Sequence, residues 1–156
     1  MMVLMLAVSM AFGQSKSFVS LKEHFKGKQD VHSFTVGSFF VNLVLKFADD
    51  DEFDFDAIKN IGSIHLITIP KKHFEGNNLS VNGYKRFIQK EDEYEELMDV
   101  SEKGEHVTLF MKTYSAQNNR YLILIDDGGD VTAIEFKGYV DVNEFVKNTK
   151  TCYSSI

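Results

Sequence analysis

The chain is poor in residues that build crosslinks, sharp stops and cofactor sites. Cys152 is its single cysteine. One thiol closes no intramolecular disulfide and completes no Cys-rich zinc site. Its place near the C-terminus leads us to expect an idle tail thiol. Tryptophan is absent, and Pro70 is the one proline. Basic residues are also short: Lys plus Arg number 17 against 23 Asp plus Glu, a net charge of −6 at pH 7. A ligand with a phosphate backbone needs a basic face, so no nucleic-acid partner is expected. No apolar run after residue 13 is long enough for a membrane-spanning helix, and no transmembrane segment is expected in the mature chain.

Catalytic spacing is missing too. No nucleophile elbow of the Gly-x-Ser-x-Gly kind occurs, and no Gly-rich phosphate loop with its Lys. His24, His32, His65, His73 and His106 never show the paired helical spacing of zinc proteases. His65 sits inside an apolar strand and reads as a core residue. No catalytic residue, cofactor or metal ligand is therefore nominated.

What is present begins with an apolar N-terminus. Met1 to Met10 is almost wholly apolar, and Ala11-Phe12-Gly13 puts small residues where a signal peptidase reads. No Lys or Arg precedes the run. Residues 1–13 are expected to be a signal peptide, with the mature chain starting at Gln14 and exported to the periplasm or cell envelope. Residues 14–156 are long enough for one domain with a real core.

The domain is organised around Tyr94 to Tyr139, which reads as four strands joined by polar turns. The anchor is Tyr121-Leu122-Ile123-Leu124-Ile125, an unbroken apolar run between turn clusters. It fits a strand covered on both faces, so Ile123→Asp should prevent folding. Asp126-Asp127-Gly128-Gly129-Asp130 follows and reads as a hairpin turn rather than a cation site. From Val131 to Tyr139, Thr132, Ile134 and Phe136 share one face, while Glu135 and Lys137 share the other. Glu135 is thus expected to face solvent, where Glu135→Gln is almost neutral. Strands His106–Met111 and Glu96–Val100 complete an antiparallel meander, because the connections are short.

Ahead of the meander, Ser17 is expected to cap a helix from Phe18 to about Lys26. A strand Val31–Val36 follows. The next segment, Ser38–Ala48, reads as a helix with a polar stripe of only about 80° and an apolar arc of about 240°, well beyond the ~100° a surface helix needs. Phe39, Val41 and Leu45 lie in that surplus and are candidate partner-docking residues. Asp49-Asp50-Asp51-Glu52 stops the helix. An EF-hand loop starting at Asp50 fails, with Phe55 where Gly belongs and Ile61 where Glu belongs. A short helix Asp54–Asn60, a strand Ile64–Ile69 ended by Pro70, a polar loop Lys71–Asn78 and a helix to about Lys90 come next. That last helix starts at Ser80 or Asn82. Asp141 is expected to cap a final helix striped by Val142, Phe145 and Val146. The fold class is α+β: an antiparallel sheet with a C-terminal four-stranded meander and helices on one face.

Ile61-Gly62-Ser63-Ile64-His65-Leu66-Ile67 followed by Tyr94-Glu95-Glu96-Leu97-Met98-Asp99-Val100, a Gly turn and a meander resembles a family of small exported bacterial proteins that carry a domain of unknown function. Some of its members are lipoproteins. The resemblance covers most of the mature chain and brings no catalytic residue with it. It implies an envelope setting, in signalling or stress response. The expected function is a non-catalytic binding or protein-interaction module, with an envelope protein or a second copy as partner. The alternative is a small-ligand-binding protein or hydrolase with a pocket between sheet and helices.

Overall fold

The computed structural model describes residues 14–37, 58–59 and 61–141. The expected signal segment, the helix Ser38–Ala48 with Phe39, Val41 and Leu45, the acidic run as far as Asp56, the helix beyond Asp141 and Cys152 lie outside the described residues.

Helix α1, Lys16–His24, starts where Ser15 turns its side chain back to accept from Phe18 N. The expected frame, capped by Ser17, is two residues late. Ser17 is buried inside the first turn, and the chain ends the helix near Gly27, whose φ of +75° suits glycine. Strand β1 is His32–Val36. Strand β2, Ile58–Lys59, pairs with the end of the last strand, which corrects the expected helix Asp54–Asn60 over these two positions. Backbone pairing to a neighbouring strand wins there over local propensity. Strand β3 is Ile64–Pro70.

Helix α2, Lys71–Gly76, replaces part of the expected polar loop. Six residues with Phe74 as their one large apolar side chain show no period in sequence. Tertiary packing makes the helix: Phe74 is fully buried and stacks on Phe25 with ring centroids 5.6 Å apart. Helix α3, Val81–Asp92, takes Ser80 as its cap, through Gly83 N. The meander follows as β4 (Glu95–Glu102), β5 (Glu105–Ser115), β6 (Asn118–Asp126) and β7 (Asp130–Val140). The β4–β5 turn, Lys103-Gly104, has positive φ at both residues, the twist that two-residue hairpins prefer.

All pairings are antiparallel, in the order β1-β3-β7-β6-β5-β4, with β2 beside β7 off that path. The fold class is the one expected. One face carries the helices. Phe18, Leu21 and Phe25 of α1, Phe74 of α2, and Tyr84 and Ile88 of α3 pack on Ile67, Ile69, Phe110, Leu122, Leu124, Val131 and Ala133. Leu122 and Leu124 are therefore the buried members of the anchor strand, and Ile123 and Ile125 are half-buried on the second face.

Candidate functional site

Two features outside the apolar core stand out: a buried polar cluster beneath α1, and an open strand at the far edge of the sheet.

The cluster is centred on Glu135, which corrects the expectation of a solvent-facing residue. Glu135 is completely buried. Val131, Ala133 and Glu135 face the helices, and Ile134 and Phe136 point to the second face. Both faces of β7 hold apolar residues, so alternation favoured the bulkier set as core.

Glu135 accepts hydrogen bonds from Ser15 N at 2.7 Å and from the Ser15 hydroxyl. Asp92, at the end of α3, accepts from Ser17 N at 2.6 Å and Lys16 N at 3.1 Å. Two buried carboxylates thus satisfy the free N–H groups that open α1, where the helix dipole favours negative charge. The Arg120 guanidinium lies 3.8 Å from Glu135. Burial pushes the Glu135 carboxyl above its ordinary range, against the pull of Ser15 and Arg120. Tyr84 closes the cluster by donating to Ser17 O at 3.1 Å.

His65 is the neighbour of Glu135 on β3 and is buried. Gln14 Nε2 and Thr35 Oγ1 both lie 2.9 Å from its Nδ1, and Ser63 Oγ is 3.1 Å from Nε2. With Gln14 donating to Nδ1, the ring proton sits on Nε2 and points at Ser63. A serine nucleophile needs the opposite arrangement: an unprotonated nitrogen facing it and a carboxylate behind. Gln14 and Thr35, and no carboxylate, are the side chains bonded to Nδ1, so the third member of such a constellation is not supplied by the residues around this ring. Burial, then the positive charges of Lys22, Arg120 and Lys137, hold the imidazole below its ordinary value of 6.5. The fold thus favours neutral His65. Its contribution is complete above 6.5 and is lost as pH falls through the lowered folded value. Thermal unfolding against pH is expected to show this acid-side loss, and His65→Gln should reduce it. An unchanged profile in the variant would show that His65 carries none of it.

The acidic turn after β6 is occupied with its own backbone. Asp127 Oδ1 accepts from Gly129 N at 2.8 Å and Asp130 N at 2.7 Å, and Asp126 pairs with Lys71 at 3.0 Å. A groove of about 470 Å³ between α1 and α3 is lined by Leu21, Leu79, Tyr84 and Phe87, with His24 and Arg86 also contributing.

The open strand is β4. Every one of its residues is exposed, and its outer edge has no partner strand among the described residues. Leu97 is 41% exposed, Met98 41% and Val100 45%. The pairing register shifts between Glu96 and Met98, a bulge that leaves Leu97 as the extra residue. Met98 ends an apolar row that crosses the whole second face. Phe34, Leu66, Ile134, Ile123, Leu109 and Met98 stand opposite one another on six successive strands. The sequence marks Glu96–Val100 as a strand but not as an edge, because strand order is not written in local periodicity.

Residues 25–147 match the family described as Domain of unknown function (DUF4252). The chain belongs to the DUF4252 family. The match takes in β1 through β7 together with α2 and α3, while the capping residue Ser15 and all of α1 lie ahead of the matched stretch. No curated protein and no solved structure matches this DUF4252 chain.

Proposed function

We propose that this DUF4252 protein is an exported, non-catalytic module that binds another protein of the cell envelope along β4, in signalling or stress response. One observation carries the reading: an edge strand that leaves Leu97, Met98 and Val100 more than two-fifths exposed. Monomeric proteins blunt such edges with charges, Pro, bulges or a cover; β4 has a bulge at Leu97 and four acidic residues, yet it keeps three large apolar side chains exposed. An edge with no partner strand, as β4 is among the described residues, is where an extended segment of a partner adds to a sheet. Phe39, Val41 and Leu45 belong to the same proposal as a second docking element. The apolar leader supports export.

Site-specific photocrosslinking in the native host tests this. A crosslinker at position 100 should give a discrete protein adduct, and one at the exposed position of Glu75 should not. Adding Met98→Lys should remove the adduct while the melting temperature stays within about 2 °C, as for a surface change. Identical adducts from both positions, or none from position 100, would overturn it.

A further inference from the structure

Resting on the reading of β4 as the docking edge, we infer that its occupant is an extended segment that alternates apolar with basic residues and pairs with β4 as an additional strand.

The charge pattern points to the basic residues. β4 reads Glu-Glu-Leu-Met-Asp-Val-Ser-Glu, with four acidic residues and no basic one. Asp99 is already engaged, by Lys85 at 3.1 Å and by the Thr108 hydroxyl at 3.1 Å. Glu95 and Glu96 have no ion-pair partner among the described residues. Glu102 meets only Lys103, at 3.9 Å, with both side chains largely exposed. Such a contact is weak in water. Three carboxylates along one open edge thus remain for a partner to neutralise. They occupy both sides of the strand. Glu96 stands opposite Phe110 on the helix side, whereas Glu95 and Glu102 stand opposite Met111 and Glu105.

The apolar pattern comes from the second face. Met98 and Val100 stand opposite Leu109 and Val107, so both point to that face. A strand beside β4 would put every second side chain next to them and lengthen the six-strand apolar row by one member.

The same charges exclude the chain's own edges as occupants. Two copies of β4 paired to each other would set carboxylates against carboxylates, which destabilises a sheet. The opposite edge of the sheet, β1, reads His-Ser-Phe-Thr-Val and supplies no Lys or Arg. A second copy therefore offers neither edge the charge that β4 needs.

Fluorescence anisotropy with the purified full chain tests the inference. The probes are three labelled eight-residue peptides: alternating Lys and Val, alternating Glu and Val, and the Lys–Val peptide with a central proline. The Lys–Val peptide should bind about tenfold or more tighter than the Glu–Val peptide, and more weakly as salt rises. Proline should abolish binding, because it removes a ladder hydrogen bond. In Glu95→Lys/Glu102→Lys, the order of the Lys–Val and Glu–Val peptides should reverse. Equal binding of those two peptides, or an order unchanged by charge reversal, would overturn the inference. These results are separable from the crosslinking. An adduct at position 100 that Met98→Lys removes, with no preference among peptides, keeps the docking edge and discards the basic partner. Charge-ordered peptide binding without an adduct keeps the chemistry of β4 and discards its proposed role in the cell.

Discussion

Glu135→Ala is expected to remove a large share of the fold's stability. The substitution leaves Arg120, 8% exposed, without its countercharge, and strips Ser15 N and the Ser15 hydroxyl of their acceptor. Breaking a buried charge pair by removing one partner costs about 3–5 kcal/mol. Total stability for a domain is roughly 5–15 kcal/mol, so the loss is a large share of it. Urea denaturation should show the midpoint falling accordingly. Glu135→Gln keeps one acceptor for Ser15 N and should cost less, about 1–3 kcal/mol. It should still cost more than Glu95→Gln on exposed β4, which should change stability by about 0.5 kcal/mol or less. Equal midpoints for Glu135→Gln and Glu95→Gln would mean the cluster under α1 contributes nothing. The carboxyl's own titration has the opposite sign to that of His65. Its folded pKa is raised, so its contribution is present below the ordinary carboxyl value and is lost as pH rises through the folded value.

Leu122→Asp is expected to abolish folding. Leu122 is fully buried against the helices and stands opposite Phe110 on one side and Glu135 on the other. The new carboxylate would lose its water and sit beside an existing buried carboxylate, two penalties of several kcal/mol in sum. Ile123→Asp, one residue on, points to the second face from a half-buried position and should cost distinctly less. Far-ultraviolet circular dichroism with urea titration of the two variants gives the comparison. Ile123→Asp proving the more harmful would mean the second face, not the helix face, holds the main core.

The sequence alone specifies the meander because its turns are chemically explicit. Lys103-Gly104 and Gly128-Gly129 sit between runs of β-branched and aromatic residues, and each strand is recognisable over most of its length. It also specifies α3, whose apolar positions Val81, Tyr84, Phe87 and Ile88 recur at helical spacing behind the Ser80 cap. It does not specify α2, whose six residues are held in a helix mainly through Phe74 packing on Phe25. It misplaces Glu135 because alternation in a strand with two apolar faces has no unique phase. The signal that could have corrected this is Ser15, a good helix cap with no acid at the third position of its own helix, which takes an acceptor from a strand instead. The openness of β4 is only half legible locally: its four acidic residues mark an exposed strand, whereas Leu97, Met98 and Val100 have the composition of an interior one.

The clamp on Ser15 also sets where a mechanical load would enter the fold. Ser15 is joined to Glu135 across 120 positions of sequence, and Gln14 is a single residue ahead of it. One residue spans at most ~3.6 Å, so almost no slack lies between that contact and whatever precedes Gln14. Tension applied there would bypass both sheet edges and reach β7, which is flanked by β3 and β6. Such a strand must lose two ladders before it leaves the sheet, whereas an edge strand loses one. In that series the Ser15–Glu135 hydrogen bonds are the weakest members, so they would yield before the ladders of β7, and the sheet with β4 at its far edge would keep its geometry as α1 came away.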